Sequence, residues 1–367
     1  MLIVLSIAID VTAACTPKPT GIGRYTEGLT SALSRRQVSL QIGTRCSHFH
    51  LRQHRLSVER SRRFWIQEPL WPLTRSADVI HVTDSRVPRW PLLNGKIPTV
   101  ATLHDVFHIL PGMTQGERFS TEKFAQKKID RYRQIARDCS RIIAVSGTTK
   151  DDFLEHIDCD PEKVEVVHHG IDENFFKGGF ADQKLLEEVG IPAGGVVYAG
   201  DFSQRKNLDG IVEGYLKADL DIDTPLILIG ESTYGSTALQ KKIDVVDKGR
   251  ILRFGWLNQD QLAAAYRSSR ALLFCTHYEG FGLPILEALA CGTPVVISNR
   301  GAAPEVAGGH GHLCDANDAV SIAAALNSAL GASVTDREKG KEYARSFTWD
   351  RCAQETELVY QNAMESS

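Results

Sequence analysis

Short apolar runs recur along the chain, each followed by a glycine-bearing polar turn and then a stretch with helical spacing. LIVLSIAI near the start, ADVIHV from Ala77, IPTVATLH from Ile97, RIIAVS from Arg141 and KVEVVHHGID from Lys163 are rich in Val and Ile and apolar on both faces. A strand buried on both faces belongs in a parallel sheet covered by helices on each side. GIGRYTEGLTSALSRR, after the first run, reads as a helix opened by a glycine-containing turn. The rhythm restarts near residue 194 with GGVVYAGD, TPLILIGE, GRILRFGW, ALLFCTHYEG and TPVVISNRG, and helices fit between them. The pattern predicts an α/β protein of two doubly wound, Rossmann-like halves. The expected boundaries are 1–172, 173–348 and a tail at 349–367. The break lies near Gly170 to Pro192, where GIDENFFKGGFADQ is loop-like, and Gly170 to Asp172 is the expected hinge. Trp349 to Met364 reads as one amphipathic helix, expected to cross back onto the first half.

Composition narrows the class. The 367 residues exceed one ordinary core, and 43% hydrophobic with 24% charged is globular composition. The formal net charge of -3 lacks the basic excess of a nucleic-acid binder. The eight cysteines are scattered, without CxxC pairs or zinc spacing, which suits reduced thiols in a cytoplasm-like compartment. MLIVLSIAID has no Lys or Arg ahead of its apolar run, and Asp10 closes it early, so a first strand is expected rather than a signal peptide. No run approaches the ~20 apolar residues of a membrane span. LRQHRLSVERSRRFW carries Arg52, Arg55, Arg60, Arg62 and Arg63. It is a solvated face, or a patch for anionic lipid at the cytoplasmic face of a membrane or for an acceptor diphosphate.

In open parallel sheets ligands bind beyond the carboxyl ends of the strands. The residues there carry the chemistry. In YEGFGLPILEALACGTPVV, Glu279 stands in a glycine-rich turn and Glu287 one turn into a helix that begins near Pro284. Backbone N–H groups near Phe281 to Leu283 would face outward at a positive helix end, which suits a diphosphate. The two carboxylates could accept from sugar and ribose hydroxyls, or be ordinary helix charges. Arg205 and Lys206, in GDFSQRKNLDGIVEGY, follow a strand end and could neutralise a leaving diphosphate. A solvated basic turn is the alternative. Two Asp-x-Asp triplets, Asp158–Asp160 and Asp221–Asp223, sit in polar turns before strands, where turn chemistry accounts for them and no metal is expected.

Glu279, Gly280, Phe281, Gly282, Leu283, Pro284, Glu287, Ala288, Gly292, Pro294 and Val295, with SNRGAAPEV and its Glu305, resemble the donor-site signature of glycosyltransferase family four, bacterial mannosyltransferases included. The resemblance covers most of the chain and is weakest between Leu40 and Ala77. It implies the GT-B fold, two Rossmann-like domains facing across a cleft. It implies transfer, with retention, of a hexose from a nucleotide sugar to an acceptor hydroxyl, without a metal. Glu279 would contact the transferred sugar, Glu287 the ribose, Gly280 to Leu283 the diphosphate, and Arg205 with Lys206 its charge. In TLHDVFHILPG, His104 and Asp105 would lie near the transferred sugar and acceptor, and His108 would be structural or a loop contact. Gly21, Gly23 and Arg24 would close over phosphates or acceptor, with Thr16 to Arg24 as a lid-like loop. Gly255 and Trp256 would meet the base, while Asn258 caps a helix. The implied donor is GDP-mannose first and a UDP-sugar second. The implied acceptor is a saccharide or lipid-linked saccharide of surface-polysaccharide or lipopolysaccharide assembly. A nucleotide-sugar epimerase lacks acid and base residues that can be placed. A dehydrogenase is opposed by the incomplete G-x-G-x-x-G, which has Thr26 where the last glycine belongs. A non-catalytic sugar-nucleotide-binding subunit is opposed by the intact set Arg205, Lys206, Glu279 and Glu287.

Overall fold

A computed structural model describes residues 4–44, 68–69, 77–87, 97–111, 122–178, 181–221, 223–231 and 249–365. The Arg52 to Arg63 stretch lies outside the described residues. The chain splits into two compact units, Met1–Gly170 with Phe347–Ser367, and Ile171–Ser346.

The first unit holds β1 (Leu5–Asp10), β2 (Val38–Thr44), β3 (Glu68–Pro69), β4 (Val79–Val82), β5 (Thr99–Leu103), β6 (Arg141–Ala144) and β7 (Val164–Val166). Among the described residues they form one sheet in the order β3-β2-β1-β4-β5-β6-β7, with every pairing parallel. Helices α1 (Gly21–Leu33), α2 (Glu122–Asp138) and α3 (Gly147–His156) belong to it. All positions of β4 and β5 are buried, as runs apolar on both faces require.

The second unit begins with α4 (Ala181–Val189) and β8 (Val196–Ala199), followed by α5 (Leu208–Lys217), β9 (Leu226–Ile229), β10 (Ile251–Phe254) and α6 (Gln259–Ser268). It continues through β11 (Ala271–Phe274), α7 (Leu283–Ala290), β12 (Val295–Ser298), α8 (Ala303–Ala307), β13 (Gly311–Cys314), α9 (Ala319–Leu330) and α10 (Val334–Ala344). Its parallel sheet runs β10-β9-β8-β11-β12-β13. Asn258 caps α6 through a reciprocal capping box with Gln261. Each sheet reverses its strand order once, between β1 and β4 and between β8 and β11. The carboxyl ends of those strand pairs are where a doubly wound sheet opens a crevice.

The tail helix α11 (Trp349–Glu365) packs on the first unit. Trp349, Cys352, Ala353, Thr356, Val359, Tyr360 and Ala363 form its buried stripe. All but Thr356 join Ile7, Tyr25, Leu29, Val79 and Val100 in one hydrophobic core. Trp349 lies so close to α1 that a Cβ on Gly28 would sit 2.2 Å from its ring, and a Cβ on Gly170 would sit 2.2 Å from its backbone nitrogen. Arg35–Asp350 and Arg36–Glu357 ion pairs flank the stripe. The exposed Arg35 pair adds little beside apolar burial, worth about 1.5–3 kcal/mol per large side chain.

Several local expectations are corrected. The GIGR segment is not a turn ahead of the helix: α1 begins at Gly21, and Gly23 lies within its first turn. The reason is a close approach, since a Cβ on Gly23 would stand 2.6 Å from Ala13 O. KVEVVHHGID is strand only over Val164–Val166. His168 and His169 leave the sheet to meet Phe347 and Trp349, with ring centroids 5.7 and 6.3 Å apart. The segment from Gly170 to Gln183 contains a 3-10 turn at Glu173–Phe175 and the start of α4.

Candidate functional site

In the second unit the site grows from the loops after β8 and β11, at the order reversal of its sheet. Beyond β8 the chain forms a 3-10 turn at Gln204–Lys206 and then Asn207, in the left-handed region at φ 56°. Asn207 Nδ2 donates to Cys275 O at 2.9 Å and to Ala316 O at 2.6 Å. His277 N donates to Arg205 O at 2.9 Å. These bonds join the loops after β8, β11 and β13.

The result is a charge triad. Arg205 Nη1 donates to Tyr278 O and to Glu279 Oε1, each at 2.8 Å. Lys206 Nζ donates to the same Oε1, also at 2.8 Å. All three side chains are largely buried, at 15%, 10% and 9% exposure. The Lys206 ammonium also lies over the Phe274 ring, 5.2 Å from its centroid. Burial alone would push the Glu279 carboxyl up. The Arg205 and Lys206 charges outweigh that, helped by their hydrogen bonds, and hold it below the usual carboxylate range. Asp201 is a further acid beside these cations. Burial raises it, but Lys206, the Ser203 hydrogen bonds and Arg205 bring it below its ordinary value. The main chain of Glu279 is clamped too, with Ala302 N donating to its O at 2.9 Å. Gly301, at φ 62°, passes so near that a Cβ would stand 2.9 Å from that oxygen.

The remaining residues of the segment are placed differently. Gly280, Phe281, Gly282 and Leu283, expected to turn outward, are buried along their length. Gly282 starts α7 from φ 100°, open in practice to glycine alone. Glu287 is fully buried, with the Tyr266 hydroxyl donating to its Oε2 at 3.3 Å. It is an enclosed acid. Gly255 and Trp256 follow β10, on the sheet's outer strand. Trp256 is 39% exposed. Glu231, after β9, is exposed.

In the first unit, Gly21, Gly23 and Arg24 occupy the first turn of α1, and His104 and Asp105 follow β5. His104 Nε2 donates to Thr83 O at 2.9 Å, which fixes the proton on Nε2. Its Nδ1 has no hydrogen-bond partner among the described residues and is left as the basic nitrogen. Burial lowers the His104 pKa. The Thr83 bond and the Asp84 and Asp105 charges partly restore it. The Tyr132 hydroxyl donates to Asp105 O at 3.0 Å. His108 packs its ring on Phe107 and Phe124, at 3.7 and 4.9 Å. Asp160, from the first Asp-x-Asp triplet, caps a 3-10 turn by accepting from Glu162 N.

The family model described as "Glycosyltransferase Family 4" matches residues 19–175. The one described as "Glycosyl transferases group 1" matches residues 194–347, so the two cover most of the chain. The chain belongs to glycosyltransferase family four. Its two parallel sheets are the GT-B fold. The chain is 26% identical to the O-antigen chain mannosyltransferase B of Escherichia coli over 320 residues, 84% of this chain and 81% of the relative. It is 27% identical over 210 residues to the N-acetyl-alpha-D-glucosaminyl L-malate synthase of Bacillus anthracis, spanning about half of each, 55% and 54%. Among solved structures, Anabaena Alr3699/HepE in complex with UDP-glucose superposes at a TM-score of 0.73 with 20% identity, over 97% of this chain and 99% of that one. No described helix of this glycosyltransferase is long and apolar enough to cross a membrane.

Two contributors carried no sequence signal of their own role. Asp201 reads as a turn residue in GDFS, and Asn207 reads only as a helix opener. The positive φ of Asn207 and its contacts with two other loops are tertiary. An Asn directly after adjacent cations at a strand end was the available hint.

Proposed function

We propose that this glycosyltransferase moves a hexose, with retention, from a nucleotide sugar to a hydroxyl of a saccharide or lipid-linked saccharide acceptor in surface-polysaccharide assembly, with mannose from GDP-mannose as the first donor. The observation that carries the reading is the convergence of Arg205 and Lys206 on one oxygen of Glu279. Two buried cations, held by Glu279 and with Asp201 beside them, form a mostly dry site in which an anionic diphosphate can be bonded by both. Those charges would stabilise the negative charge that builds on the leaving diphosphate, so the reaction needs no metal. Glu279 would orient the transferred sugar. With its charge drawn off by two cations on Oε1, it is a poor nucleophile, which favours same-face attack over a covalent glycosyl-enzyme. His104 and Asp105 are assigned to the acceptor, Gly21 to Arg24 to closure over it, Gly280 to Leu283 to the diphosphate and Gly255–Trp256 to the base. Glu287 is assigned to hold the ribose, which requires the enclosed carboxylate to be uncovered. The mannosyltransferase relative supports mannose and an O-antigen type of acceptor. An acceptor on a lipid would bring the protein to the cytoplasmic membrane surface.

A thermal-shift screen with GDP, UDP, ADP and TDP tests the donor. GDP is expected to raise the melting temperature most, and a larger shift with UDP would replace it with the UDP-sugar alternative. The Arg205→Ala, Lys206→Ala double variant should lose the shift and release no nucleoside diphosphate from GDP-mannose in the presence of EDTA, where the parent chain does. Unchanged diphosphate binding in that variant would remove the basis of the assignment.

A further inference from the structure

We infer that Tyr25 is a positioning residue for His104: its ring fixes the plane of the imidazole, and its hydroxyl is anchored through a buried hydrogen-bond chain to the tail helix. The inference rests on the reading of His104 as an acceptor-site residue. The bond from His104 Nε2 to Thr83 O holds one atom of the ring and leaves the plane free to turn about that bond. Two rings remove that freedom. Tyr25 meets His104 edge to face, with centroids 4.9 Å apart at 76°, and His169 meets it at 5.4 Å and 64°. Tyr25 and His169 stack at 4.7 Å and 27°, and His169 stacks on Trp349 at 6.3 Å and 30°. His104 therefore rests against the side of a Tyr25–His169–Trp349 pile rooted in α11.

The Tyr25 hydroxyl needs its own account. A phenylalanine would fill the same volume, and a buried hydroxyl is costly unless bonded. It lies 3.0 Å from Thr102 Oγ1, which lies 2.8 Å from His81 Nε2, and His81 Nδ1 lies 2.7 Å from the Tyr360 hydroxyl. Burial pushes His81 down to about 3, with a smaller contribution from His104, so its ring is neutral. It then offers one donor and one acceptor, and a single direction of donation runs through the chain. A continuous bonded network in a low-dielectric interior is rigid. A parallel tether holds the acceptor of the His104 bond: Thr26 Oγ1 donates to Thr83 Oγ1 at 3.1 Å, and Thr83 Oγ1 to Asp10 O at 2.8 Å. Tyr25 and Thr26 on α1 thus set the two sides of one imidazole, and Tyr360 on α11 sets Tyr25.

Nitrogen-15 spectra of histidine-labelled full-length chain test this, with the His104 signals assigned by His104→Gln. The parent chain should show the Nε2–H tautomer at His104. Tyr25→Phe keeps the ring but frees it from Thr102, and Tyr25→Leu removes the ring. Mixing of the two tautomers should grow from parent to Phe to Leu. The His104 titration, faced by Asp84, Asp105 and His169, should move up toward the ordinary value in the Leu variant as water reaches the ring. Spectra of both variants that superpose on the parent's overturn the inference. If Tyr25→Leu does not fold, Tyr25→Phe alone decides, and an unchanged tautomer and titration reject the positioning role. The spectra read the Tyr25–His104 coupling whatever the enzyme transfers. Release of diphosphate from GDP-mannose by His104→Gln reads the role of His104 separately.

Discussion

Glu279 Oε1 accepts from Arg205 and Lys206 at one distance, 2.8 Å, so the acid and both cations depend on each other. A folded carboxyl held below its ordinary value contributes stability that is fully present above about pH 4.3 and is lost as pH falls through the folded value. Glu279→Gln should therefore be less stable at neutral pH and show a flatter loss below about pH 4.3 than the parent in urea melts across pH. An unchanged acid limb would mean the triad is not ionised as drawn. Asn207 belongs to the same scale. Its amide donates to two loop carbonyls, and its backbone is left-handed. Asn207→Gly keeps the backbone at ease, Asn207→Ala adds roughly 1 kcal/mol of strain, and both strand two acceptors at about 1–3 kcal/mol. Asn207→Asp is the same size but points an oxygen at those carbonyls, so denaturant midpoints should fall in the order Gly, Ala, Asp. A mildly affected Asp variant would contradict the donor assignment.

At the scale of elements, α11 is held by shape as much as by apolar area. The Gly28 and Gly170 approaches to Trp349 leave no room for a methyl group. Gly28→Ala should lower stability by about 1–3 kcal/mol although alanine favours helix, a sign that propensity alone would reverse. The melting temperature of that variant checks it. The chain from Tyr360 to His81 adds a pH signature. The His81 folded value, about 3, lies below the ordinary histidine value near 6.5. The unfolded chain then binds the proton first, and stability falls as pH drops from about 6.5 toward 3, by up to about 1.4 kcal/mol per pH unit for this ring. His169 and His104, also lowered mainly by burial, act in the same direction. His81→Gln should flatten the dependence of the melting temperature between pH 6.5 and 4, and an unaltered slope would place the proton elsewhere. Elements of this kind were unevenly legible. β4, β8 and β12 announce themselves as Val- and Ile-rich runs, and β11 as the apolar run ALLF, because they are buried on both faces. β2 alternates with polar residues near the sheet's edge, and β13, GHLC on the outer edge, has no β-branched residue, so neither shows the pattern.

For the whole molecule, the two-unit α/β plan was readable because the strand-and-turn rhythm stops and restarts, and a parallel sheet needs each of those runs. The site was readable as far as its residues are local: Arg205, Lys206 and Glu279 each follow a strand and each entered the sequence reading. Their meeting on one oxygen was not readable, because it depends on β8 and β11 becoming neighbours although β9 and β10 intervene in the chain. The enclosure of Glu287 depends on the packing of α6 against α7, which spacing within one helix does not encode. The topology makes the last prediction specific. A diphosphate bound at the order reversal touches loops that already share hydrogen bonds through Asn207 and His277. Saturation at a hundredfold excess over Kd stabilises the bound form by about 2.7 kcal/mol. Amide exchange with and without GDP should therefore slow at Gln204 to Asn207, at Cys275 to Leu283 and around Ala316 together, because opening any one of those loops breaks bonds to another. The strands β4 and β5 of the first unit should change far less. Protection confined to the Arg205 loop, with Glu279 and Ala316 exchanging as before, would show that these loops do not respond as one body and that the diphosphate is not held where the triad stands.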